Sequence, residues 1–127
     1  MTASRNAFPK TERLKKPSDF RNVLKNSQVV CENGVCLYVS KNSALKASRF
    51  GVIIKRSVLK HATDRNRAKR ISREFFRLRK AEFGNNFDLI VRINDSSKLF
   101  QQNNLRKTLA HLFSRAGVLH RESTGNE

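Results

Sequence analysis

Apolar residues fall along this chain in stretches that switch between the period of a helix and that of a strand. Phe20, Val23 and Leu24 stand at i, i+3 and i+4 behind Pro17, which predicts a short helix from about Ser18 to Asn26 with Ser18 as N-cap. Two β-prone runs follow, 28–31 and 35–40, joined at Asn33-Gly34, a pair suited to a two-residue hairpin turn. In the second run Val35, Leu37 and Val39 alternate with Cys36, Tyr38 and Ser40, so each set takes its own face of a sheet. A polar stretch, 41–48, reads as a loop, and the continuously apolar run 50–54 reads as a central strand covered on both faces. A connector over 57–64 leads into a long helix. Its apolar stripe, Ala68, Ile71, Phe75 and Leu78, covers an arc of roughly 80° at about 100° per residue. Gly84, after Phe83, can stop that helix. Phe87, Leu89, Val91 and Ile93 alternate as one side of a fourth strand. Leu105, Leu109, Leu112, Phe113 and Ala116 give a last helix from about Phe100 to Ala116.

The order αβββαβα predicts an α+β fold: a single-domain α/β sandwich in which helices pack on a four-stranded sheet. The length of 127 residues suits one domain. Residues 1–17 carry Arg5, Lys10, Arg13, Lys15 and Lys16 with Pro9 and Pro17 and show no period, so a flexible basic arm is expected there. The folded domain is expected over 18–116, with a polar tail over 117–127. If the third and fourth strands are parallel neighbours, a right-handed crossover is the default.

Charge sharpens the picture. The formal net charge is +17, so nucleic acid is the default partner. It is concentrated: from Lys55 to Lys80 eleven cations face only Asp64 and Glu74. Arg65, Asn66, Lys69, Arg70, Arg73, Arg77 and Lys80 lie on the side of the long helix away from its apolar stripe. Arg65, Lys69, Arg73 and Arg77 form a like-charge i, i+4 ladder, with Glu74 placed to pair with Arg70. A solvated face normally interleaves both signs, so this one is built to meet a polyanion. A membrane-surface helix would carry exposed Trp, Phe or Leu for insertion; the chain has no Trp, and no apolar run reaches the ~18 residues of a membrane span. With no signal-peptide pattern at its start, the chain is expected in the cytoplasm.

Catalytic patterns are missing. The ten acids are scattered, His61, His111 and His120 are isolated, and there is no Gly-rich phosphate loop. Cys31 and Cys36 have no further ligands at metal-site spacing and read as packing thiols. A second candidate surface is aromatic: Phe20 and Leu24 with Cys36 and Tyr38 can line a shallow groove on which single-stranded bases stack, or can simply be core.

The run Arg65-Asn66-Arg67-Ala68-Lys69-Arg70-Ile71-Ser72-Arg73-Glu74 resembles the RNR signature of the bacterial ribonuclease P protein subunit, RNRxKRxxRE, at every fixed position. Phe8-Pro9-Lys10, Arg13-Leu14 and Asp19-Phe20 are similar to that family's N-terminal pattern. Leu37-Tyr38, Arg49-Phe50-Gly51 and the Leu-rich last helix also fall where the family places them, so about residues 8–116 are covered. The resemblance implies an αβββαβα sandwich with a left-handed crossover, opposite to the default. It implies as partners the catalytic RNA of ribonuclease P, one protein per RNA, and precursor tRNA, whose 5′ leader the holoenzyme removes. Hydrolysis would belong to the RNA and its Mg2+, with no cofactor held by protein ligands. By matching, Arg65, Asn66, Arg67, Lys69, Arg70 and Arg73 would contact RNA, and Phe20, Leu24, Cys36 and Tyr38 would line the leader cleft. Family members commonly carry two adjacent lysines after the third strand; this chain departs from that with Lys55-Arg56-Ser57, where two registers one residue apart are open and Lys55 and Arg56 are the candidate RNA contacts. On composition alone, a small basic ribosomal protein is the main alternative. A DNA-binding module lacks helix-turn-helix spacing.

Overall fold

The computed structural model describes residues 12–41, 48–82 and 87–117. The helical period around Phe20 becomes α1 (Pro17–Lys25). Pro17 takes the first helical position, where a missing N–H costs nothing, and Lys16 is the N-cap without a side-chain bond. Ser18 therefore lies inside the helix rather than capping it, because proline's fixed φ starts the first turn one residue earlier.

The hairpin forms as the Asn33-Gly34 pair dictates. β1 (Gln28–Glu32) and β2 (Val35–Lys41) pair antiparallel, with Glu32 opposite Val35 and Cys31 opposite Cys36. Asn33 at φ 54° and Gly34 at φ 80° supply the left-handed pair that a tight, right-twisted hairpin needs. Cys31 and Cys36 are joined in a disulfide across the two strands, which corrects the expectation of packing thiols. The physical reason is register: directly opposed positions of a hairpin bring Cα atoms to 4.0 Å here.

β3 (Arg49–Ile54) and β4 (Phe87–Ile93) complete a sheet of order β1-β2-β4-β3. β4 is antiparallel to β2 and parallel to β3. The apolar run at 50–54 is thus an edge strand, not a central one. It is nonetheless apolar throughout because both of its faces are packed: Phe50 joins one core cluster and Ile53 the other. Its outer edge is partly covered too, since Arg13 bridges to Phe50 and the Leu14 N–H donates to the Phe50 carbonyl at 2.9 Å. Leu14 is buried, so the folded unit reaches back into the segment expected to be a basic arm.

α2 (Ala62–Arg79) connects β3 to β4 and continues into a 3-10 turn, Lys80–Glu82. It begins inside the expected connector. The proposed Gly84 stop and most of the polar loop, 42–47, lie outside the described residues. α3 (Asn104–Arg115) starts later than the expected Phe100, because Gln102 and Asn103 adopt left-handed φ values of 49° and 59° and break the helical path before it.

The helices cover both faces of the sheet. On one side α2 and α3 build the main core with Val35, Leu37, Phe50, Leu89, Val91 and Ile93. Phe76 stacks on Phe50 with ring centroids 4.9 Å apart, and Phe75 meets Phe113 at 5.1 Å. On the other side Val23 of α1, with Leu14 and Ile90, forms a second cluster flanked by Phe20, Leu24, Tyr38 and Ile53. α2 is wedged between β3 and α3, so its buried arc is rotated from the expected one. Ser72 and Phe76 are fully buried beside Ala68 and Phe75, while Leu78 is 47 % exposed. The Ser72 hydroxyl is satisfied locally, donating to the Ala68 carbonyl at 2.9 Å. Among the described residues no helix is long and apolar enough to cross a membrane.

Candidate nucleic-acid interface

The outer side of α2 borders an open groove of about 570 Å³ lined by Arg13, Asn66, Lys69, Arg70, Arg73, Glu74 and Arg77. A helix on its own offers a convex ridge of charge. The groove exists because Arg13, carried by the strand-like segment against β3, stands beside that ridge. On sequence alone Arg13 is expected in a flexible arm rather than at this site; the signals for it were the neighbouring apolar Leu14 and the match of Arg13-Leu14 to the family pattern. Five cations against one carboxylate make this concavity strongly attractive to phosphate.

The cations expected to bind RNA do not all stand alike. Asn66, Lys69, Arg70 and Arg73 come together on the groove. Arg65 is turned back, and its Nη1 donates to the Leu59 and Lys60 carbonyls, each at 2.8 Å. It thereby fixes the connector to the first turn of α2. Arg67 lies on another side of the helix with its guanidinium 4.3 Å from the centre of the Phe100 ring. Glu74 pairs with Arg77 at 3.3 Å rather than with Arg70 as expected, since i+3 and i−4 are both within reach of one carboxylate. Lys55 and Arg56 are exposed in the turn that follows Ile54 at the end of β3.

The second surface lies on the sheet face covered by α1. β2 turns Cys36, Tyr38 and Ser40 to this face, and β4 turns Asp88, Ile90 and Arg92 to it. Phe20 and Leu24 lean on the same cluster as Tyr38 and Ile53, all four only half-buried. Gly51 allows this arrangement: a Cβ there would stand 2.7 Å from the Phe20 ring, so only a bare backbone lets the aromatic seat on β3. Cys36 is buried and tied to Cys31, so it packs within this face rather than offering a thiol. Phe20, Leu24 and Tyr38 therefore meet as expected, with Cys36 behind them.

At the other end of this face, Arg49 grips Asp88 through two hydrogen bonds, Nε to Oδ1 at 2.7 Å and Nη2 to Oδ2 at 3.0 Å, and reaches Asp19 of α1 at 3.8 Å. The hydrogen bond to Asp88 raises the Arg49 pKa from its ordinary value, against the opposing cost of burial. Through the contact with Asp19, Arg49 ties the start of α1 to the sheet. Among the described residues no group of three or more His, Cys, Asp or Glu side chains is placed to hold a metal ion.

The family model for Ribonuclease P matches residues 8–117. The ribonuclease P protein component of Marinobacter nauticus is 32% identical over 120 residues, covering 94% of this chain and 89% of its own length. That of Lactobacillus gasseri is 30% identical over 118 residues, covering 93% and 97%. Among solved structures, the RNase P protein of Staphylococcus aureus superposes with a TM-score of 0.78 at 26% identity, over 86% of this chain and 98% of that one. The RNase P protein of Thermotoga maritima gives 0.70 at 30% identity, over 82% and 96%.

Proposed function

Because the chain belongs to the ribonuclease P protein family, a component of an endoribonuclease that works on tRNA precursors, we propose that it acts by binding the catalytic RNA along α2 and the 5′ leader along the α1 face of the sheet. The observation that carries this reading is the cationic groove between Arg13 and α2. Its Lys69, Arg70, Arg73 and Arg77 neutralise phosphates that would otherwise repel one another, which lowers the Mg2+ the RNA needs to bring its substrate close. Asn66 adds a neutral donor and acceptor among them. Arg65 positions the first turn of α2, Arg67 presents its charge from the Phe100 side, and Lys55 and Arg56 extend the cationic surface to the end of β3. The leader crosses Phe20, Leu24 and Tyr38, where bases stack on the aromatic rings. Arg13 and Leu14 run between the two surfaces, one lining the groove and the other packed under the leader face. One RNA–protein assembly can therefore engage both without a break.

Chemistry is assigned to the RNA. Mg2+ held by that RNA would supply the metal-assisted hydrolysis, and this chain's residues bind, screen and orient. One protein per RNA, a left-handed β3–α2–β4 crossover and a cytoplasmic site of action are proposed with the same reading. The ribosomal alternative is not favoured, since the family match spans nearly the whole chain.

Precursor-tRNA cleavage by a bacterial ribonuclease P RNA at low Mg2+, with and without this protein, tests the proposal. Accurate cleavage restored by the protein, and none by the protein alone, is the expected result. Tight RNA binding without restored cleavage would overturn it.

A further inference from the structure

One cation on the leader face is not accounted for by the fold. Arg92 sits in β4 directly opposite Cys36 of β2 and Ile53 of β3, on the same side of the sheet as Tyr38 and Ile90. The residue is partly exposed, yet its Nε is buried and has no hydrogen-bond partner among the described residues. The nearest acid along the same side of β4, Asp88, is already held through both carboxylate oxygens by Arg49. A desolvated guanidinium nitrogen left without an acceptor costs free energy, and an apolar side chain of similar length would fill this place without that cost. Arg is useful here only if something anionic arrives.

We infer that Arg92 is a phosphate anchor in the floor of the leader groove, and that it fixes which leader linkage lies between Tyr38 and the cationic turn at Lys55-Arg56. This rests on the reading of that face as the leader surface. The geometry favours a single-stranded backbone over other anions. Aromatic and aliphatic side chains, Phe20, Tyr38 and Ile53, surround the floor, and bases stack on them while the intervening phosphate drops onto the cation. Because Arg92 is partly desolvated, its attraction to phosphate is less screened by salt than that of the exposed α2 cations. The guanidinium also matches two phosphate oxygens at once, which lysine cannot do.

The test uses the holoenzyme reconstituted with a bacterial ribonuclease P RNA, comparing wild type, Arg92→Lys and Arg92→Met. Substrates are precursor tRNAs with a leader long enough to cross the sheet, with a leader of one nucleotide, and with single methylphosphonate linkages stepped along the long leader. Arg92→Met is expected to raise Kd for the long-leader substrate by about tenfold, to leave the short-leader substrate unchanged, and to show no further loss on the one substrate whose neutral linkage lies at Arg92. Arg92→Lys should recover part of the affinity. Equal losses on both leader lengths, or no loss on either while wild type still prefers the long leader, would overturn the anchor and spare the leader surface. A wild-type holoenzyme indifferent to leader length would overturn both.

Discussion

Arg49 shows how one residue's chemistry sets a surface several residues away. Its fork onto Asp88 satisfies a carboxylate that is only 3 % exposed, and its third contact holds Asp19 at the start of α1. Replacing it with leucine leaves Asp88 buried without a partner, and Arg49→Leu should cost about 3 kcal/mol in urea unfolding. A loss below about 1 kcal/mol would mean that water reaches Asp88 and that the fork is ornamental. Tyr38 tests the other function of the same face. Tyr38→Ala should weaken precursor-tRNA binding without affecting mature tRNA, and equal losses for the two RNAs would return Tyr38 to the core. The cysteines are a third case. The two-residue turn alone places position 31 opposite 36, so their proximity was legible, whereas the expectation of packing thiols treated each by its own surroundings. Closing so short a loop constrains the unfolded chain by about 2 kcal/mol in the entropic account. Reductant should therefore lower the urea midpoint modestly and leave RNA binding intact, because the turn and the ladder hold the hairpin. Loss of binding on reduction would show that the cross-link shapes the groove.

At the scale of elements, α2 does two jobs on two flanks. One flank fills the space between β3 and α3 with Ala68, Ser72, Phe75 and Phe76; the other holds Lys69, Arg70 and Arg73 over the groove. The like-charge ladder is tolerable without RNA because its members are drawn apart: Arg65 to carbonyls, Arg77 to Glu74. Substituting both Arg70 and Arg73 by Gln should reduce the slope of log K against log salt by about one for each cation removed. An unchanged slope would mean that these side chains face solvent in the complex. β3 is the counterpart on the sheet. Gly51→Ala would drive a methyl group into Phe20, so α1 must lift; a loss of about 1–3 kcal/mol in stability and weaker leader discrimination are expected. If both are unaffected, Phe20 has room that the 2.7 Å approach denies.

Across the whole molecule, the order and type of the elements were determined by the sequence itself. The turn at Asn33-Gly34, the alternation in β2 and β4, the amphipathic long helix and its RNR run all depend on residues within a few positions of one another, which is why they could be read directly. The expectation that the basic helix binds a polyanion came from the same local pattern of charge. Only the tertiary structure decided what depends on distant pairing. It made β4 an interior strand and β3 an edge, since apolarity reports burial and not which neighbours provide it. It turned α2 so that Phe76 entered the core and Leu78 left it, because the flank a helix buries is set by the two bodies it lies between. It brought Arg13 beside Arg70 and Arg73, and it put Arg92 on the α1 face of the sheet with its Nε unpaired among the described residues. Those placements join residues far apart along the chain, and long-range packing alone brings them together.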